Sequence, residues 1–165
     1  MNLFDLEDLL PGLGIDPTAE QMNKLYLSFE KDFVSNQLVV AGLRVKVIQH
    51  LSRVEGFESY PETFVHLITR KGVKGKRVFD RLRANKIHWI RRILENKSEE
   101  DVIYFQYPEN DGTIRDYYWF KDGDFLVIME KIAPDYLIIT GFHADNRRNK
   151  EHFEKKLKWY ERNKE

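Results

Sequence analysis

Five histidines, many arginines and no cysteine set the chemistry open to this chain. The histidines are His50, His66, His88, His143 and His152. Without a thiol there is no thiolate nucleophile, thiolate metal site or disulfide. No HExxH pair is present, and a zinc site drawn from His66, His88 and His143 is the disfavoured alternative. The GxxxxGK[ST], GxGxxG and GxSxG patterns are absent as well. What remains is imidazole, guanidinium and hydroxyl. That set suffices for cleaving RNA without a metal or any other cofactor. The 2′-hydroxyl attacks the adjacent phosphorus, a base takes its proton, and an acid protonates the leaving 5′-oxygen. An imidazole serves either role near neutral pH. Arginine matches the charge of the pentavalent phosphate.

The candidates stand in recognisable contexts. His66 sits between Val65 and Leu67, where it reads equally as a core histidine. His88 adjoins Trp89, where it reads equally as a packing residue. Thr140 ends an apolar run before Gly141 and offers a hydroxyl; its bland reading is a core threonine. Tyr117 and Trp119 share one face of a strand, with Tyr118 on the other, and aromatic rings stack unpaired bases. As core residues they need no ligand.

The element that positions the charge runs from Arg77 to Asn96. Phe79, Leu82, Lys86, Trp89 or Ile90, and Ile93 recur at the spacing of one buried helical face. Arg77, Arg81, Arg83, Arg91 and Arg92 fall on the other face. From Arg70 to Lys97 there are eleven bases against two acids, Asp80 and Glu95. Arg70, Lys71 and Arg77 at the start of this run are candidate phosphate contacts. The bland reading is a solvated helix face.

Composition bounds the rest. The 165 residues, 42% of them hydrophobic, are enough for one domain with a full core. Formal net charge is zero, with ten acids against five bases in residues 1–63 and a compensating basic excess beyond. That balance argues against a general DNA-coating protein and leaves room for a local anion site. No apolar run approaches the roughly 20 residues a membrane span needs. The acidic start, MNLFDLEDLLPG, lacks the positive charge of an export signal, so a cytoplasmic location is expected.

In chain order, an apolar lead ends at Pro11 and Gly12. Asp16-Pro17 is expected to open a helix, with Asp16 as its N-cap, that closes near Asn36. Leu38–Ile48 alternates as a half-buried strand. Phe64–Ile68 fits either a helical turn or a short strand. Gly72 and Gly75 mark a basic loop before the central helix. Four strand-like runs follow: Val102–Tyr107, Arg115–Lys121, Asp124–Ile132 and Tyr136–His143. Their short connections, including Asp122-Gly123, imply an antiparallel meander. Arg147–Arg162 closes the chain as a helix with Phe153, Leu157 and Tyr160 on one face. The expected class is α+β: an antiparallel meander packed against a basic central helix, with N- and C-terminal helices. Residues 1–36 form a helical extension and 37–165 the main domain.

Three stretches carry a family likeness. Phe64-Val65-His66-Leu67-Ile68-Thr69 is similar to a Phe-x-His-Leu/Ile motif. Arg83-Ala84-Asn85-Lys86-Ile87-His88-Trp89-Ile90-Arg91 is similar to an Arg-x-x-x-Ile-x-Trp-x-Arg motif. Leu137-Ile138-Ile139-Thr140-Gly141-Phe142 is similar to a closing strand with Thr, a small residue and an aromatic, although Gly141 stands where Ala is expected. The sequence thus resembles the phage- and plasmid-encoded members of the barnase–EndoU–colicin–RelE-like nuclease superfamily, over roughly Leu43 to His143. The resemblance implies a metal-independent ribonuclease of toxin or effector type with His66, Arg83, Arg91 and Thr140 at its site. Residues 1–36 fall outside the likeness and are candidates for binding a neutralising protein or a second copy. Two rival readings stand beside it: a non-catalytic nucleic-acid-binding module using the same basic face, and an interaction domain whose acidic residues 1–63 meet a basic partner.

Overall fold

The computed structural model describes residues 3–96, 98–144 and 146–164. Lys97, the last base of the basic run, lies outside them, as do Met1 and Asn2 of the apolar lead. The protein is α+β. Strands β1 (Val39–Val40) and β2 (Leu43–Lys46) form a hairpin. Strands β5 (Val102–Pro108), β6 (Ile114–Phe120), β7 (Phe125–Ile132) and β8 (Asp135–His143) form the meander, each antiparallel to the next. The six join in the order β1-β2-β8-β7-β6-β5. The sheet is mixed rather than purely antiparallel, because β2 runs parallel to Asp135–Leu137 of β8.

Each face of the sheet carries its own core. On one face lie helices α1 (Ala19–Phe33), α2 (Glu62–Ile68) and α4 (Trp89–Glu95). On the other lies α5 (Arg147–Asn163), which buries Phe153 and partly buries Leu157 and Tyr160 against Phe105, Tyr117 and Trp119. Alternation along β6 follows the expected pattern, with Tyr117 and Trp119 toward α5 and Tyr118 toward the other core.

Residues 3–36 share the main core through Leu3, Leu13, Leu25, Phe29 and Phe33, so the described part of the apolar lead docks on its own domain. Helix α1 starts later than expected. Thr18, not Asp16, is the N-cap, because Thr18 and Gln21 close a reciprocal capping box. The helix ends at Phe33, ahead of Asn36.

The single helix expected over Arg77–Asn96 is broken into three pieces. Arg77–Phe79 is strand β4, paired antiparallel with β3 (Thr69–Lys71) across the Gly72–Gly75 loop. Asp80 then caps a single helical turn, α3 (Arg81–Ala84), accepting hydrogen bonds from the Leu82 and Arg83 amides at 3.0 and 3.1 Å. A turn over 85–88 leads into α4. Beyond the single turn of α3, the helical spacing is realised only from Trp89 onward; the capping carboxylate of Asp80 fixes a helix start inside the supposed helix.

Two glycines are set by space. A Cβ on Gly141 would meet Ile90 Cδ1 at 2.9 Å, so the residue standing where Ala was expected lets α4 lie close on β8. A Cβ on Gly123 would meet Phe120 Cε2 at 2.5 Å, while the positive φ of that hairpin, 51°, is carried by Asp124.

Candidate active site

Helix α2 sets the site. Phe64 is fully buried, with ring centroids 5.4 Å from Tyr26, 5.5 Å from Phe29 and 5.3 Å from Tyr60. Two residues on, a helix has turned by about 200°. His66 therefore leaves the core that Phe64 enters, and it is half-buried. It lines two clefts that also share Glu62. One, of about 510 Å³, contains His50, Arg53 and Arg77. The other, of about 310 Å³, contains Ile48, Thr63, Arg115 and Ile139.

Thr69, the fully buried residue at the α2–β3 junction, organises two of the arginines. Its carbonyl accepts from Arg77 Nη2 at 2.9 Å and from Arg83 Nη1 at 2.7 Å. Its hydroxyl accepts from Arg77 Nε at 2.8 Å and donates to the Val65 carbonyl at 2.6 Å. Two guanidiniums thus converge on one carbonyl oxygen. Asp80 offsets Arg83 at 3.7 Å, but among the described residues no carboxylate lies within ion-pair distance of Arg77. Burial lowers the pKa of both arginines from the usual value. The third arginine, Arg115 of β6, reaches Glu130 Oε1 at 3.4 Å and is half-buried.

These charges act on His66. Burial first, then Arg77, Arg83 and Arg115, lower its pKa to about 4. The imidazole is consequently neutral at pH 7 and able to accept a proton, within an electropositive cleft that favours an anion. An incoming phosphodiester would offset the arginine field and raise the basicity of the ring as the proton transfers. Across the first cleft, His50 Nε2 lies 2.9 Å from Glu62 Oε2, so a carboxylate orients a second imidazole beside the first.

The remaining expected residues divide sharply. Lys71 stands directly opposite Arg77 in the β3–β4 pair, which brings the two cations to one patch. Arg70 is exposed, pairs with Asp80 at 3.7 Å, and lines a third cleft of about 420 Å³ that also contains Arg83 and Phe142. The Arg83 guanidinium lies 5.3 Å over the Phe142 ring. Thr140 lies in β8 between Ile139, which lines the His66 cleft, and Phe142. Its hydroxyl is buried and has no hydrogen-bond partner among the described residues.

Arg70 and Thr140 line neither His66 cleft, and four further expected residues lie well away from them. His88 is the N-cap residue of α4, covered by the N-terminal segment: Trp89 Nε1 donates to the Glu7 carbonyl at 3.1 Å and Lys86 Nζ to Asp8 at 3.1 Å. Burial lowers its pKa, and it lines neither His66 cleft. Arg91 points to the end of α1, donating to the Asp32 and Asn36 carbonyls at 2.5 and 2.8 Å. The break in the supposed central helix separates it from Arg83. Tyr117 and Trp119 are 2% and 0% exposed, so neither can stack a base. Tyr117 instead lies parallel to Phe105 at 4.7 Å, and Trp119 meets Phe153 edge-on at 6.3 Å.

Arg91→Ala tests this assignment. Loss of two hydrogen bonds from a charged donor is expected to lower stability by about 2 kcal/mol. A urea melt reads the loss. RNA cleavage per folded molecule should stay within about twofold of wild type, and a loss like that of a catalytic group would return Arg91 to the site.

Four contributors were missed from sequence: His50, Glu62, Thr69 and Arg115. The only signal available was residue type, since their convergence depends on a loop, a helix end and a strand register. Among the described residues no cluster of three His, Cys, Asp or Glu side chains is arranged to hold a metal ion, and no helix is long and apolar enough to cross a membrane. Comparison of the chain with protein-family models, curated proteins and solved structures found no match.

Proposed function

We propose that the protein is a metal-independent endoribonuclease whose site is centred on His66. One observation carries the reading: a neutral, half-buried imidazole faces open clefts in the field of Arg77, Arg83 and Arg115. His66 takes the 2′-hydroxyl proton. The 2′-oxygen bonds to phosphorus as the P–O5′ bond breaks, giving a 2′,3′-cyclic phosphate. His50, oriented by Glu62, delivers a proton to the departing 5′-oxygen. Arg77 and Arg115 stabilise the charge that builds on the phosphoryl oxygens, and Lys71 and Arg83 hold the neighbouring backbone. Assignment to the toxin or effector type rests on the sequence resemblance alone.

Purified protein incubated with total RNA in EDTA tests this directly. Expected are 2′,3′-cyclic phosphate ends and no cleavage of the corresponding DNA, which lacks the nucleophile. Mg²⁺-dependent cleavage, or equal cleavage of RNA and DNA, overturns the mechanism. Tight RNA binding without cleavage would transfer the basic clefts to the binding-module reading.

A further inference from the structure

We propose that the exposed side of α5, with Tyr107 of β5, is a second subsite that holds single-stranded RNA leaving the His66 cleft. The proposal rests on the ribonuclease reading and extends it to the form of the substrate. Helix α5 is fixed to the sheet by Phe153, Leu157 and Tyr160. Another stripe of the same helix, His152, Lys155, Lys156, Trp159 and Arg162, recurs at helical spacing and lines a groove of about 400 Å³ with Tyr107.

The groove has two aromatic walls. Tyr107 and Trp159 meet edge-to-face, with centroids 5.3 Å apart and planes at 72°. Both are half-buried, so each keeps an accessible surface. The Tyr107 ring is held from below by Lys156. Lys156 is 9% exposed as a residue; its ammonium sits 4.7 Å from the ring centroid and is tied to the Tyr117 hydroxyl at 2.9 Å and Glu109 at 3.4 Å. A buried cation with its own carboxylate fixes the ring without contributing net charge.

The rim carries the net charge. Lys155, Lys158 and Arg162 are exposed, and among the described residues no acid lines the groove and no carboxylate lies within ion-pair distance of these three. Aromatic walls with unneutralised cations at the rim fit a chain of alternating bases and phosphates. The rings select unpaired bases, which a duplex does not present and an acidic peptide does not have.

Continuity with the site comes from strand register. Tyr107 is the direct cross-strand partner of Arg115, and side chains so paired stand about 5 Å apart on one face. Arg115 lines the His66 cleft. A strand cleaved at His66 can therefore pass Arg115 and lay its next bases on Tyr107 and Trp159.

The test compares two substrates on the full chain: a dinucleotide, and a single-stranded RNA of about a dozen nucleotides with one cleavable ribonucleotide. In wild type the long substrate should have the higher kcat/KM. Trp159→Ala is expected to reduce that long-to-short ratio by about tenfold or more, through KM on the long substrate. Because Trp159 is half-buried, the exposed pair Lys155→Glu and Lys158→Glu serves as a second variant and should act in the same direction. Binding is read separately by fluorescence anisotropy of a labelled DNA-backbone analogue, which cannot be cleaved. Each lost phosphate contact should flatten the salt slope by about 0.7. An unchanged ratio in both variants, or equal competition by duplex RNA or an acidic peptide, overturns the subsite. Absence of cleavage by wild type overturns the ribonuclease reading instead, and the anisotropy measurement still decides the subsite.

Discussion

His66→Ala is expected to lower RNA cleavage by about 10² to 10⁴ while leaving the fold intact. The side chain points away from the Phe64 cluster and, among the described residues, contributes no side-chain hydrogen bond that holds the core, so its removal acts on chemistry more than on packing. His88→Ala is the contrasting variant. That ring lies beneath the N-terminal segment and outside both His66 clefts, so cleavage per folded molecule should stay close to wild type. His50→Ala should also lose activity, and the two losses can be separated by the leaving group. A uridine 3′-phosphodiester carrying 4-nitrophenolate needs no proton on departure. His50→Ala should recover most of its rate on that substrate, whereas His66→Ala should not, because the 2′-hydroxyl still requires a base. Recovery of both variants, or full activity of His66→Ala, would remove His66 from the role of base.

Legibility in the sequence followed the range of the interactions involved. The meander could be read because its signals are local: Asp122-Gly123 and the alternation of Tyr117, Tyr118 and Trp119 specify hairpin and facing within a few residues. The α5 face was legible for the same reason. The central helix misled because Phe79, Leu82 and Lys86 fit helical spacing, while the pairing of Arg77–Phe79 with Thr69–Lys71 depends on a turn at Gly72–Gly75 that competes with it. His66 could be nominated by type and motif, but its electrostatic setting could not. Arg83 reaches it through the carbonyl of Thr69, and Arg115 arrives from a strand nearly fifty positions away in sequence. Tyr117 and Trp119 were correctly assigned to one face, but only the docking of α5 decides that this part of the face is core.

Arg115→Ala is expected to reduce kcat/KM by about 10² to 10³, the scale for losing one preorganised donor to a developing oxyanion. Unlike Arg77 and Arg83, Arg115 holds no buried carbonyl among the described residues; its partner is the half-buried side chain of Glu130 and it is itself about one-third exposed, so the variant should fold normally. It should also shift the pH profile in a defined direction. In wild type, burial and the three arginines hold the His66 pKa near 4, so the acid limb of kcat/KM, which follows the free enzyme's base, lies well below neutrality. Removing one positive neighbour makes protonation easier, so the limb moves to higher pH. Stability gives an independent reading of the same ring. Because the folded pKa is depressed, the unfolded chain takes up the proton first; the stabilising contribution is complete above the ordinary histidine value of about 6.5 and is lost as pH falls from there through about 4. In Arg115→Ala the folded and unfolded values approach each other, so the variant should lose less stability than wild type between neutral and acid pH. Urea midpoints at the two ends of that window, together with rate profiles on one RNA substrate, measure both effects. A limb that stays in place or moves toward lower pH would mean that Arg115 does not act on His66, and its place in the site would pass to Arg77 alone.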